Sequence, residues 1–208
     1  TYDALDTSFL NTVKTYKTEN YYKFPYILYV GNAYPHKNLK RLIDAFAILR
    51  IKAKIKLVLA GDDNYFYPRL KKYTDELGLN KDIVYFGNAD DQQLINLYSN
   101  SRVLIFPSLM EGFGLPNFEV IACGKLPVMS DIPVFREIWG ETVDYFDPNS
   151  EKDIASKILT VLNLPEAKYQ KKADELKKRL DDFSWKKTAQ ETLKIYKQIH
   201  RARSLITS

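Results

Sequence analysis

Short apolar runs alternate along this chain with segments in which apolar residues recur every three to four positions. The runs predict strands at residues 25–31, 56–60, 83–86, 102–106, 126–129 and 143–146. The periodic segments predict helices at residues 39–50, 68–77, 91–98, 116–123, 134–139, 151–162, 166–182 and 185–201. No hairpin signal joins one strand to the next. The pattern therefore predicts an α/β fold, a doubly wound parallel sheet of about six strands with helices on both faces.

The segments with candidate chemistry all follow the carboxyl ends of predicted strands. They are residues 31–37, 61–63, 87–88 and 108–114. Ligands of doubly wound sheets bind beyond the carboxyl ends of the strands. We therefore expect these segments to share one binding site.

Composition places the chain among globular proteins. Its 208 residues are 45% hydrophobic and 27% charged, and the net charge is +5. No apolar run is long enough to cross a membrane, and no signal peptide is recognisable. The single cysteine, Cys123, excludes an internal disulfide and is typical of a reducing compartment, so a cytoplasmic location is expected. The lysines of the last third are spaced for a solvated helix face, and no nucleic-acid partner is expected.

Glu111 and Glu119 lie eight residues apart around a glycine-containing turn that follows a predicted strand. Pro116 is expected at the first position of the next helix, which puts Glu119 near the end of its first turn. The loop N–H groups before that helix are those of Gly112, Phe113 and Gly114. Such a helix start suits a phosphorylated, hydroxyl-rich ligand. A surface loop with two solvated acids is the alternative.

Lys37 follows the first predicted strand and precedes a helix, with His36 beside it. A lysine here can place a positive charge on a phosphate, and the histidine can donate as well. An ordinary loop lysine is the alternative for this position.

A metal site is not expected. Asp62 and Asp63 follow Gly61 and offer two adjacent acids to a divalent cation, although such pairs more often cap a helix or form a turn. Two histidines and one cysteine make no zinc site, and neither a dinucleotide fingerprint nor a Walker loop occurs. At most one aromatic side chain is expected to stack on a base or sugar, from Tyr65, Phe66, Phe86 and Phe113.

The order of motifs resembles the C-terminal, donor-binding domain of GT-B retaining glycosyltransferases of family 4 (group 1 glycosyltransferases). The family's pair of glutamates appears as Glu111 and Glu119 within Phe-Pro-Ser-Leu-Met-Glu-Gly-Phe-Gly-Leu-Pro-Asn-Phe-Glu. Further matching segments are Tyr-Val-Gly-Asn-Ala-Tyr-Pro-His-Lys-Asn-Leu at 29–39, Leu-Val-Leu-Ala-Gly at 57–61, Val-Tyr-Phe-Gly at 84–87, Ser-Asp-Ile-Pro-Val-Phe-Arg-Glu at 130–137 and Phe-Ser-Trp at 183–185. The resemblance covers residues 25 to about 200.

The resemblance implies a Rossmann-like domain that holds a UDP- or GDP-sugar without a metal or other cofactor. Glu111 would orient the donor sugar near its reacting carbon, and Lys37 would neutralise the departing diphosphate. Glu119 would accept hydrogen bonds from the ribose hydroxyls. Further donor contacts are implied at Gly31, Asn32, His36, Gly61, Phe86, Gly87, Gly112, Phe113, Gly114 and Leu115. One departure concerns the diphosphate, because many members have an arginine where this chain has Asn32; His36 or another arginine would have to compensate.

The resemblance also implies a domain organisation. Residues 1–24 would be an interdomain linker remnant, 25–183 the donor-binding domain and 184–208 a helix that crosses back to an absent N-terminal acceptor domain. A glycan or lipid-linked acceptor, and any membrane contact, would belong to that domain, and this chain alone would transfer sugar weakly or not at all.

The expected function is donor binding for retaining sugar transfer to a glycan or glycoconjugate. Three alternatives stay open: another GT-B enzyme such as a nucleotide-sugar epimerase or a phosphorylase, a non-catalytic GT-B-like binding or assembly domain, and a doubly wound domain with unrelated chemistry. A phosphorylase would need a lysine-bound pyridoxal phosphate, and no clear site for one is visible.

Overall fold

The computed structural model describes residues 1–62 and 65–206. The strands are β1 (Tyr26–Val30), β2 (Lys56–Ala60), β3 (Ile83–Gly87), β4 (Val103–Phe106), β5 (Pro127–Ser130) and β6 (Asp144–Phe146). The helices are α1 (Thr7–Thr15), α2 (Leu39–Lys52), α3 (Phe66–Glu76), α4 (Asp91–Asn100), α5 (Leu115–Ala122), α6 (Pro133–Trp139), α7 (Glu151–Leu162), α8 (Glu166–Arg179) and α9 (Trp185–Ile206). Short 3-10 turns occupy Pro35–Lys37 and Leu180–Asp182.

Within the described residues, six strands form one parallel sheet in the order β3-β2-β1-β4-β5-β6. Helices α2, α3 and α7 pack on one face, and α1, α4, α5 and α8 on the other. Strands β4 and β5 are buried along their whole length, as apolar runs covered on both faces should be. The predicted doubly wound fold is confirmed.

Several predicted bounds shift, by one to five residues, and the largest shift is at the end of α9, predicted at residue 201 and found at Ile206. Helix α3 begins at Phe66 rather than at residue 68, because a proline within the first helical turn needs no N–H partner. Helix α5 begins at Leu115, so Pro116 occupies its second position rather than its first. Helix α8 ends at Arg179 and continues as the 3-10 turn.

The segment 1–24, predicted as a linker without a complete strand–helix unit, contains α1. Asp6 caps this helix by accepting a hydrogen bond from the Ser8 N–H, and Phe9 is buried. The segment after it is bound to α4 through Asn96, whose side-chain oxygen accepts from the Glu19 N–H. The Asn96 amide donates to the hydroxyls of Tyr16 and Tyr21. This segment is therefore packed on the domain.

Candidate functional site

The candidate site lies at the switch point of the sheet, between β1 and β4. There the chain stops adding strands on one side of β1 and begins to add them on the other. Strands β1 and β4 are neighbours, but the helices that follow them, α2 and α5, cover opposite faces. Loops leaving two such strands diverge and open a crevice at their carboxyl ends. The segments that follow β1 and β4 carry Lys37 and Glu111, so the fold brings the two main predicted residues to one place.

Lys37 and Glu111 form an ion pair across this crevice. The Lys37 Nζ donates to Glu111 Oε1 at 2.7 Å, and the Ser108 Oγ donates to the same oxygen at 2.6 Å. The side chains are only 17% and 7% exposed, respectively, so water screens the pair weakly. Both predicted catalytic residues therefore neutralise each other in this structure.

Asn38 ties the two loops together. Its backbone is left-handed, with φ of 59°, a conformation that asparagine tolerates better than most residues. Its side-chain amide donates to the carbonyl oxygens of Pro107 and Pro148 at 3.1 and 2.8 Å. The Leu109 N–H donates to the His36 carbonyl at 2.8 Å, which adds a second bond between the loops. The position of Lys37 relative to Glu111 thus follows from hydrogen bonds made by the residues on either side of it, His36 and Asn38.

The glycine loop before α5 presents backbone donors. Within the described residues, the N–H groups of Gly112, Phe113 and Gly114 donate to no protein acceptor. Gly114 stands at the helix N-cap with φ of 90°, and a Cβ there would come within 2.8 Å of the Asn117 amide nitrogen. Only glycine fits this position, and the resulting helix start favours an anion.

Glu119 lies in α5, and one of its carboxylate oxygens accepts a hydrogen bond from α4. The Tyr98 hydroxyl, from α4, donates to Glu119 Oε2 at 2.6 Å. Burial raises the pKa of Glu119, the Tyr98 hydrogen bond opposes that rise, and the negative charge of Asp91 adds to it. Tyr98 is fully buried, so this contact is part of the core.

The four aromatic rings considered for stacking on a ligand each contact another aromatic ring of the protein. Phe113 stacks on Phe118, with ring centroids 4.7 Å apart. Phe86 stacks on Tyr21 at 6.0 Å. Phe66 contacts Tyr34 and Tyr65 edge to face, and Tyr65 remains more than half exposed.

Three glycines predicted to contact the donor, Gly31, Gly61 and Gly87, lie close together at the strand ends. The Gly61 N–H donates to the Gly87 carbonyl, and the Gly31 N–H donates to Ala60. A Cβ on Gly61 would lie 2.0 Å from the Gly31 carbonyl oxygen. Close backbone approach therefore accounts for glycine at position 61 independently of any ligand contact, and its donor contact stays a prediction.

Asn32, which stands where an arginine was expected, shapes the turn after β1. Its side-chain oxygen accepts from the Tyr34 N–H at 3.3 Å, and its carbonyl accepts from the Tyr29 hydroxyl at 2.6 Å. The arginines after β1 and β5 have acidic partners: Arg41 pairs with Glu151, and Arg136 with Asp131 and Glu141. Lys37 is therefore the cationic side chain of the β1 loop itself, and the ring of the neighbouring His36 contacts Tyr34.

The acid pair considered as a metal site is only partly described, because Asp63 lies outside the described residues. Asp62 is exposed. Among the residues that the structure describes, no three histidine, cysteine or acidic side chains form a group that could hold a metal ion. A metal-independent site stays a prediction.

Asn117 has an unusual environment. It is completely buried at the third position of α5, and neither polar atom of its side chain has a hydrogen-bond partner among the described residues. Buried amides normally have partners. It lies against the glycine loop, because a Cβ on Gly114 would be 2.8 Å from its side-chain nitrogen.

Three residues near this crevice were given no role from the sequence: Asn38, Tyr98 and Asn117. Ser108 was included only as the first residue of the predicted segment 108–114. Asn38 carried a usable signal, since asparagine between a turn and a helix is typical of left-handed backbone. Tyr98 carried none, because a tyrosine in an amphipathic helix is ordinarily read as core.

Comparison with known proteins agrees with this architecture. The family described as glycosyl transferases group 1 matches residues 14–181. O-antigen chain mannosyltransferase B of Escherichia coli is 30% identical over 83% of this chain and 45% of its own length. The serotype-specific mannosyltransferase WbdA of Escherichia coli is 35% identical over 82% of this chain and 21% of its own. The chain thus spans less than half the length of these relatives.

Solved structures share the fold. A glycosyltransferase from Rickettsia africae has a TM-score of 0.76 at 25% identity, over 94% of this chain and 52% of its own. The α,α-trehalose 6-phosphate synthase from Burkholderia multivorans reaches a TM-score of 0.82 at 15% identity, over 97% of this chain and 50% of its own. Among the described residues, no helix is both long enough and apolar enough to cross a membrane.

Proposed function

This chain belongs to the group 1 glycosyl transferases, and from that premise we propose that it binds a nucleoside diphosphate sugar for retaining transfer to a glycan or glycoconjugate. The observation that carries the proposal is the shielded ion pair of Lys37 and Glu111 beside the start of α5. An anion-binding helix start, a lysine and an acid at one crevice match the charges of a sugar diphosphate.

The diphosphate would bind at the glycine loop. The N–H groups of Gly112, Phe113 and Gly114 have no competing protein acceptor among the described residues, and the α5 dipole adds positive potential. Lys37 would turn from Glu111 to the diphosphate and stabilise the negative charge that grows on it as the bond to the sugar breaks.

Glu111 would then accept hydrogen bonds from the sugar, and Glu119 from the ribose. Ser108 also donates to Glu111 Oε1, so the carboxylate would keep an anchor when the lysine moves. The acceptor oxygen would form its bond on the face of the anomeric carbon that the diphosphate leaves, which is what retention requires. His36, Asn32, Gly31, Gly61, Phe86, Gly87 and Leu115 remain proposed donor contacts.

The names of the relatives suggest which donor sugar to test. Both Escherichia coli relatives are named mannosyltransferases, so we propose a mannosyl donor as the first to test. Binding needs no metal in this proposal, because Lys37 and the loop N–H groups supply the positive charge.

Acceptor binding is proposed to lie outside residues 1–208, in a domain that faces the crevice. In support, α9 carries exposed apolar side chains at Trp185, Leu193, Ile195, Tyr196 and Ile199. Residues 25–183 would form the donor domain, 184–208 the crossing helix and 1–24 the connection. The complete enzyme would work in the cytoplasm, and this chain by itself would transfer sugar poorly because closure over the substrates needs both domains.

Calorimetric titration with UDP, GDP and ADP, with and without magnesium, tests the proposal. Saturable binding of one nucleotide, unchanged by magnesium and tightened by the attached sugar, is expected. Failure to bind any nucleotide or nucleotide sugar at millimolar concentration would contradict the proposal and favour the non-catalytic alternative.

A further inference from the structure

A buried hydroxyl contacts the acid that is proposed to bind the ribose. Tyr98 is 0% exposed between α4 and α5, and its hydroxyl reaches Glu119 Oε2 at 2.6 Å. Among the described residues, the other oxygen, Oε1, accepts no hydrogen bond. The carboxylate is therefore held at one oxygen only.

We infer that Tyr98 is a positioning residue, whose hydroxyl keeps the Glu119 carboxylate ionised and turned so that Oε1 accepts from the ribose hydroxyls. This inference rests on the proposed function. A tyrosine hydroxyl suits the task because it donates to an anion, adds no charge, and sits on a ring that core packing immobilises.

The surroundings of Glu119 make such a donor necessary. Its burial penalises the ionised form, and Asp91 at the start of α4 adds a like charge. The Cys123 thiol at the end of α5 also interacts with this acid, and the lysines Lys177 and Lys125 in turn interact with Cys123. Strands β4 and β5, beneath α5, present only uncharged side chains. The Tyr98 hydroxyl is thus the group in direct contact that favours the carboxylate.

The sign of the pH effect follows from this arrangement. Burial raises the pKa of Glu119, and removal of the Tyr98 hydroxyl raises it further. Ribose binding needs the ionised acid, so it is lost as pH falls through that pKa. Without the hydroxyl, the loss occurs at a higher pH. The Cys123 thiol and the Tyr98 phenol do not contribute to this pH dependence. Burial raises the pKa of the thiol to about 12 and that of the phenol well above 10.0.

The experiment compares the bound nucleoside diphosphate with its 2′,3′-dideoxy counterpart between pH 5 and 8. Both carry the same titrating diphosphate, so the difference between their affinities reports the ribose contact alone. Tyr98→Phe should weaken the ribonucleotide roughly tenfold at the acid end, shift its acid limb to higher pH, and leave the dideoxy compound unchanged.

Tyr26→Phe is the matched control. Tyr26 is equally buried, and its hydroxyl donates to the carbonyl of Leu97, the residue before Tyr98, without touching Glu119. This variant should leave the difference between the two nucleotides unchanged at every pH. Equal weakening of both nucleotides by Tyr98→Phe, or an unmoved pH profile, would overturn the inference.

A second variant keeps the test decisive if Tyr98→Phe does not fold. Glu119→Gln cannot ionise, so the ribose-dependent part of binding should lose its pH dependence. If that dependence persists, Tyr98 does not act through Glu119. Wild-type protein that binds neither nucleotide would overturn the proposed function as well, whereas a ribonucleotide preference untouched by Tyr98→Phe would overturn only the inference.

Discussion

The Lys37 Nζ lies 2.7 Å from Glu111 Oε1, although the two residues are 74 positions apart in the chain. This ion pair joins the loops after β1 and β4 at the crevice of the sheet. Its members are mostly shielded from water. In the proposed function Lys37 turns from Glu111 to the diphosphate, so ligand binding would be coupled to the opening of this pair.

Glu111→Gln separates the two roles at this pair. The substitution removes the charge that holds Lys37, so a plain nucleoside diphosphate should bind within about twofold of wild type or tighter. The additional affinity that the sugar contributes should disappear. Titration with the nucleoside diphosphate and the matching nucleotide sugar measures both, and Glu175→Ala on the exposed surface of α8 is the control.

Glu119→Ala should act on the nucleotide itself. Loss of charge-assisted hydrogen bonds to the ribose is expected to weaken nucleoside diphosphate binding by about 1.5–3 kcal/mol. Calorimetry on the same ligands provides the measurement. If Glu111→Gln and Glu119→Ala weakened the plain nucleotide equally, the proposed division between sugar and ribose would be wrong.

Lys37→Met should destabilise the ligand-free protein. Glu111 would keep Ser108 as a donor but lose its countercharge in a poorly hydrated position, at a cost of about 2 kcal/mol. Denaturant unfolding measures the loss. The double variant with Glu111→Gln should regain most of the lost free energy of unfolding. If the losses of the two single variants simply add in the double variant, the two side chains are not energetically coupled.

Asn117→Leu should increase stability. The buried amide has no partner among the described residues, and leucine has nearly the same shape without unsatisfied polar atoms, so a gain of about 1 kcal/mol is expected. Asn96→Leu is the contrasting control, since Asn96 is equally buried but bonds to Tyr16, Tyr21 and Glu19. That variant should lose stability. A loss in both variants would indicate that Asn117 has a partner in solution.

Local sequence predicted most of the sheet because each strand is a short apolar run with a clear end. The bounds of β2, Lys56–Ala60, were predicted to the residue, and the bounds of α7 likewise. Helix α1 was missed, because nine residues with little helix preference depend on docking: Phe9 is buried and α1 packs against α4. Tertiary contacts stabilise this helix, so no local sequence pattern predicted it.

The sequence alone determined about where the strands end, which loops follow their carboxyl ends, and that Glu111, Glu119 and Lys37 belong to the segments after β4 and β1. These features depend on periodicity and turn chemistry, which act over a few residues. Only the tertiary structure decided the partners: Lys37 with Glu111, Tyr98 with Glu119, and Asn38 with Pro107 and Pro148. Each contact joins segments far apart in the chain, and it exists because the strand order places β1 beside β4 and packing places α4 beside α5.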